Sequence, residues 1–180
     1  MGSGARASPP SATTTDTFAA DLLEHLDLRD VILVGFSMGS GEVTRYLGRY
    51  GSGRIAKAAL LGAIPPMLVK RDDNPEGVDG QVFEGIKAAT AADRYAYLKA
   101  FLDDFYNVDE LAPERISEQA WQASFQVAAG ASPHATYWSV DAWLTDFRDD
   151  LTKFDVPTLV VHGTADRICR SPPPRTACRA

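Results

Sequence analysis

Val31-Ile32-Leu33-Val34-Gly35-Phe36-Ser37-Met38-Gly39-Ser40-Gly41-Glu42 is the stretch on which the reading of this chain turns. Its first four residues are an unbroken β-branched and aliphatic run, the pattern of a strand buried on both faces of a parallel sheet. Gly35-Phe36-Ser37-Met38-Gly39 then reads G-x-S-x-G, and Glu42-Val43-Thr44-Arg45-Tyr46-Leu47 continues as a helix, with Gly51 as its stop. Strand, sharp turn and helix in that order are the setting of a nucleophile elbow. Such a turn strains the backbone at the serine, so its neighbours must be small. It lifts the Ser37 hydroxyl above the sheet edge and points the Met38 N–H, at the helix N-terminus, toward a developing oxyanion. The competing reading is a Gly/Ser-rich connection without chemistry.

Outward from the elbow, the apolar residues 18, 22, 23 and 26 mark a helix that Asp16 would cap. Ala58-Ala59-Leu60-Leu61-Gly62 reads as a second buried strand, so the order α, β, α, β implies parallel pairing with right-handed crossovers. After Ile64-Pro65-Pro66 no strand is evident up to about residue 150. Helical stretches are expected over Phe83–Tyr106, Ile116–Ala129 and Trp138–Phe147, an insertion of roughly 80 residues that exceeds an ordinary connection. Val156–Val161 returns as a strand, with Pro157 tolerated near its start. The resulting division is 1–15 disordered or frameshifted, 16–66 core with the elbow, 67–150 helical cap, 151–168 core strand and acid loop, and 169–180 irregular tail.

Composition limits the function classes. The 180 residues are 45% hydrophobic and 23% charged, which fits a globular domain rather than a disordered chain. A formal charge of −6 argues against nucleic-acid binding, which needs clustered Lys and Arg. No apolar run approaches the ~18 residues of a membrane span, and residues 1–10 lack the apolar segment of a signal peptide. Two cysteines make no disulfide framework, so the cytoplasm is the default compartment. No Cys/His spacing suits zinc and no phosphate-binding glycine loop is present. Cys169 and Cys178 fall in the irregular tail, and Trp121, Trp138 and Trp143 read as packing residues of the insertion.

A serine nucleophile needs an acid and a base. His162-Gly163-Thr164-Ala165-Asp166-Arg167 places Asp166 at the carboxyl end of the last strand, where α/β sheets carry their sites, so Asp166 is the candidate acid. The alternative is a turn-forming aspartate. In this arrangement the base histidine follows the acid, and none of the three histidines does. His25 belongs to the helix before the elbow strand, His134 to the insertion, and His162 to the strand end, where its ring packs locally. Without a base, Ser37 keeps its ordinary high pKa and is a poor nucleophile.

These residues resemble the α/β-hydrolase superfamily, and more closely its cofactor-free (non-heme) chloroperoxidases and bromoperoxidases with the related arylesterases and perhydrolases. The resemblance is carried by Asp16-Thr17-Phe18-Ala19, by Gly35 to Glu42, by Ala63-Ile64-Pro65-Pro66 and Asn74-Pro75-Glu76-Gly77, and by Thr145-Asp146-Phe147-Arg148 and Val156 to Gly163. It implies a serine acylated by a small acyl ester or carboxylic acid and released by water or hydrogen peroxide, with no cofactor. Ser37 would be nucleophile, Asp166 the triad acid and the Met38 N–H one oxyanion donor. The family's strands before the elbow strand, the loop with the second oxyanion donor, and its final strand, helix and histidine have no counterpart here. Family members continue after the aspartate with Arg-Ile-Leu-Pro-Ile, and a single dropped base in such codons gives the Ile-Cys-Arg-Ser of residues 168–171. Both ends are therefore expected to be frameshifted sequence around a hydrolase segment.

The expected fold is an incomplete α/β-hydrolase: a parallel sheet remnant of about three strands with a helical cap. The expected activity is haloperoxidase or esterase chemistry by descent, with little turnover in the chain as written. The alternative is a non-catalytic fragment or pseudoenzyme that binds small molecules or a partner. The remnant's exposed sheet edges would favour an oligomer.

Overall fold

The computed structural model describes residues 26–169. The predicted helix from Asp16, His25, Cys178 and both terminal segments assigned to frameshift lie wholly or almost wholly outside that range. Three parallel strands, β1 (Val31–Phe36), β2 (Ile55–Leu61) and β3 (Thr158–Val161), form one sheet in the order β1-β2-β3. The helix α1 (Met38–Tyr50) joins β1 to β2. It ends at Gly51, whose φ of 71° suits glycine and whose N–H donates to the Leu47 carbonyl at 3.1 Å. The expected remnant of three strands with helices is the fold observed.

Between β2 and β3 lie α2 (Gly80–Ala92), α3 (Arg94–Phe105), α4 (Val108–Leu111), α5 (Glu118–Gly130), α6 (Pro133–Trp143) and α7 (Arg148–Leu151). The stretch read as one helix over Phe83–Tyr106 is two. Asp93 leaves the helical backbone, and its carboxylate accepts from the N–H groups of Tyr95 and Ala96 at 3.1 and 3.0 Å, restarting the chain as α3. Ser117 and Ser132 cap α5 and α6 in the same way, and Pro133 opens α6 at a position where no N–H is needed. The helix expected over Trp138–Phe147 begins instead at Pro133 and stops at Trp143, with α7 a separate turn beyond Phe147.

The core sits on one face of the sheet. Val43, Tyr46 and Leu47 of α1 pack on Ile55, Ala58 and Leu60, flanked by Val31 and Leu33. The expectation that β1 is buried on both faces is not met. Ile32, Val34 and Phe36 alternate onto the opposite face and are 61%, 59% and 57% exposed. Leu159 and Val161, aligned with them through Ala59 and Leu61, are exposed as well. A continuous apolar run reports a strand suited to double burial, but what covers it is decided by elements elsewhere in the chain.

A second packing centre fixes α7 to α1. The Phe147 ring is fully buried among Ile64, Leu68 and Cys169, and its N–H donates to the Pro66 carbonyl at 2.9 Å. A methyl at Gly41 would lie 2.6 Å from that ring, so α1 needs glycine at this approach. One turn later the buried Asp150 meets the Arg45 Nε at 3.3 Å.

Candidate active site

The turn after β1 has the expected shape. Ser37 stands at φ 51° and ψ −120°, a region sparsely used by residues with a side chain and costing on the order of 1–3 kcal/mol. Its N–H donates to the Leu61 carbonyl at 2.9 Å, which ties the turn to the end of β2. A Cβ at Gly35 would come within 2.4 Å of the Gly39 carbonyl oxygen, so this glycine is sterically required. At Gly39 a Cβ would meet nothing within 4 Å among the described residues, so the need for small neighbours holds on one side of the serine only. Ser40, fully buried, braces the turn from below. Its hydroxyl donates to the Ser37 carbonyl at 2.5 Å and accepts from the Ile64 N–H at 3.1 Å.

Met38 is the first residue of α1. Its N–H therefore has no acceptor within the helix and lies at the positive end of the helix dipole. An N–H so placed favours an anion, but Met38 itself is not among the residues lining the cleft that holds Ser37 and Asp166.

Asp166 follows β3, and the turn that carries it closes with the Asp166 N–H donating to the Gly163 carbonyl at 3.2 Å. Its Oδ1 accepts from the N–H groups of Ile168 and Cys169 at 2.9 and 2.8 Å. The other oxygen, Oδ2, lies 3.5 Å from His162 Nε2. The His162 ring also contacts the Cys169 carbonyl through that nitrogen, so it packs locally as its position at the strand end suggested. His134 is exposed at the start of α6.

Ser37 and Asp166 line one cleft of about 540 Å³, with Phe36, Phe105 and Tyr106 among its apolar walls. The helical segment between β2 and β3 reaches the loop that carries Asp166 at the corner between α3 and α4. There Asn107 donates from Nδ2 to the Ala165 carbonyl at 3.1 Å. Arg167 grips Asp109 and Glu110, each at 2.7 Å, and its guanidinium holds the Asp109 carboxyl below the ordinary carboxylate range. Among the described residues no histidine lines the cleft. Among the described residues no group of three or more metal-ligating side chains occurs, and no helix is long and apolar enough to cross a membrane.

Sequence reasoning missed Cys169. Read as part of an irregular tail, it is 5% exposed, packs on Phe147, and lines the cleft with Ser37 and Asp166. Burial, and next the Asp166 charge, push its thiol up to about 11, while hydrogen bonding from the Ser37 hydroxyl works the other way. No local signal identifies such a residue, because its burial is decided by the turn at Asp166 and by Phe147. An acid whose folded pKa is raised binds its proton more tightly in the folded state. Its contribution to stability is therefore intact below the ordinary thiol value of about 8.5 and is lost as pH rises through about 11. The stability of the wild-type chain relative to Cys169→Ala should fall across that window in urea titrations. In a Cys178→Ser background the remaining thiol should resist an aromatic disulfide reagent at pH 8 until denaturant is added. Rapid labelling of the folded chain would contradict the burial.

Comparison with known proteins places the whole arrangement. The sequence profile of the alpha/beta hydrolase fold family matches residues 2–171. A protein of Synechocystis sp. carried under the name of a non-heme chloroperoxidase is 59% identical over 170 residues, 93% of this chain and 62% of that protein. The crystal structure of a bromoperoxidase from Bacillus anthracis superposes with a TM-score of 0.81 at 42% identity, covering 92% of this chain and 62% of that one. An esterase from Exiguobacterium antarcticum superposes with a TM-score of 0.80 at 33% identity, over 89% of this chain and 59% of that one. The chain thus spans less than two thirds of the length of each of these relatives.

Proposed function

Because this chain belongs to the α/β-hydrolase family, we propose that its cleft is a serine acyl-transfer site of the non-heme haloperoxidase and esterase type. The supporting observation is that Ser37, strained at the head of α1, shares one cleft with Asp166. The Ser37 Oγ attacks the carbonyl carbon of a small acyl ester or carboxylic acid, and the Met38 N–H stabilises the oxyanion. The intermediate expels the alcohol, or water from the acid, and leaves an acyl ester on Ser37. Water then releases the carboxylic acid, or hydrogen peroxide releases a peracid, and either restores the serine hydroxyl. A peracid oxidises halide in solution to hypohalous acid and returns to the carboxylic acid.

Every attack requires a base to take the nucleophile's proton, a contribution typically of 10²–10⁴ in rate. Among the described residues no imidazole lines this cleft, and Cys169 holds its proton at neutral pH. The 180-residue chain accordingly turns over little by itself. Its cleft then serves as a binding module for small apolar acyl compounds.

The test is p-nitrophenyl acetate hydrolysis by wild-type, Ser37→Ala and Asp166→Ala chains, each with and without added imidazole. Without imidazole the wild-type and Ser37→Ala rates should agree within about twofold. A large Ser37-dependent rate there would overturn the claim of low turnover. Imidazole diffusing into the cleft should accelerate the wild-type chain above its own solution catalysis, and not the two variants. Equal acceleration of all three would remove the acyl-transfer reading.

A further inference from the structure

We propose that the α3–α4 corner clamps the loop that carries Asp166, and that Asn107 and Arg167 are positioning residues which aim the free oxygen of that carboxylate into the cleft. The contacts fall on both sides of the acid. Before it, the Ala165 carbonyl accepts from Asn107 Nδ2 at 3.1 Å. After it, Arg167 Nη1 donates to Asp109 Oδ1 and Nη2 to Glu110 Oε1, each at 2.7 Å, and Nη2 meets Asp109 Oδ2 at 3.3 Å. The guanidinium thus spans two carboxylates, and its planar fork fixes a direction that a point charge would not. All three partners on the corner belong to α4 or to the residue before it.

Asn107 shows that the corner is built for this contact rather than for its own helix. It stands where an asparagine ordinarily accepts from the first N–H groups of the helix it precedes. Here the side chain makes no such bond to α4. The backbone stands at φ 48° and ψ 49°, the left-handed region that asparagine tolerates better than most residues. Its Oδ1 is buried with no hydrogen-bond partner among the described residues. A forgone cap, a left-handed backbone and an unpaired buried acceptor each cost free energy. The bond to Ala165 is what the residue makes instead. Turning the amide over would set Oδ1 against that carbonyl, so its orientation is fixed.

The clamp bears on the oxygen that matters. Oδ1 of Asp166 is held by the N–H groups of Ile168 and Cys169, and Oδ2 is the one left for a base. A Cβ at Gly62 would lie 3.6 Å from Oδ2, which places that oxygen over the end of β2, on the cleft wall shared with Ser37. Holding residues 165 and 167 restricts the swing of the carboxylate between them. A misplacement of about 1 Å at a supporting group can cost on the order of 10²-fold in rate. Partly exposed ion pairs add little to global stability, so the clamp acts on the local freedom of the loop. The positioning role rests on the acyl-transfer reading; the clamp itself does not.

The experiment first follows Cys169, which is buried and donates its N–H to Asp166. In a Cys178→Ser background its thiol is labelled at pH 8 with an aromatic disulfide reagent while the chain is folded. Arg167→Glu sets a like charge against Asp109 and Glu110 and should speed labelling roughly three- to tenfold. Asn107→Gly, which keeps the left-handed backbone and removes the amide, should speed it too. Adding Asp109→Lys to Arg167→Glu should return labelling toward the wild-type rate, and the urea midpoint should barely move in any of them. Unchanged labelling in Arg167→Glu, no recovery in the double variant, or labelling that rises only in step with lost global stability would overturn the clamp. The second readout is the Ser37-dependent, imidazole-assisted hydrolysis of p-nitrophenyl acetate. Arg167→Glu should lower its maximal rate with the KM for the ester unchanged, and Asp109→Lys should restore it. A change in KM alone, or an unchanged rate in a chain whose labelling has accelerated, would overturn the positioning role. Absence of any Ser37-dependent rate in the wild-type chain would remove the acyl-transfer reading and the positioning role with it, while labelling still decides the clamp.

Discussion

Phe147→Ala should lower the free energy of unfolding by about 3–5 kcal/mol, the range for truncating a buried aromatic ring. Phe147 has no exposed surface, and its ring closes the space between Ile64, Cys169 and the backbone of α1 at Gly41. The Arg45 guanidinium lies 5.6 Å from the ring centroid. The gap left by alanine cannot close readily, because α1 is tied to β1 and β2 through the elbow and α7 is tied to α1 through Asp150. A loss of this size is a large fraction of the stability of an ordinary domain. Urea titration followed by circular dichroism measures it. A loss under about 1 kcal/mol would mean that the ring is not the keystone its burial indicates.

Asp150→Ala should be comparably damaging, by about 3–5 kcal/mol, for an electrostatic reason. The carboxylate is 4% exposed and meets Arg45 across the α1–α7 contact. Removing it leaves a guanidinium in a largely buried place without the charge that offset its desolvation. Replacing both partners, Arg45→Met with Asp150→Ala, should recover part of the loss, because no charge is then left buried. The double-mutant cycle reads this directly, and strict additivity would argue against the pair. Alanine at Gly48 is not a milder probe of this contact, since its Cβ would fall 2.1 Å from the Asp150 Oδ1.

The sheet order and the elbow were legible because their determinants are local. A β-branched run, a glycine that must approach Gly39, and a helix opening directly after the serine all fall within a dozen residues. The position of Asp166 past the last strand, in the cleft with Ser37, was legible for the same reason. What escaped reading depends on partners distant in sequence. Asp93 breaks a helix with no proline or glycine at the break, because its side chain competes for the next turn's N–H groups. The exposure of Ile32, Val34 and Phe36 cannot be read from residues that suit burial equally well. Cys169 acquires its surroundings from Phe147 and from the turn at Asp166, and neither is encoded near it as a pattern.

The pairing of β2 with β3 joins segments separated by roughly a hundred residues, and the entropy of closing a flexible loop grows by about 0.6 kcal/mol with each doubling of its length. A structureless connection of that span would carry more than two doublings over one of about 20 residues. The helices between β2 and β3 replace that long coil by a folded path whose α3–α4 corner already rests against the loop that carries Asp166. This helical segment thus helps β3 to its place through chain statistics as well as through contact, and shortening the search for the sheet is part of what it does.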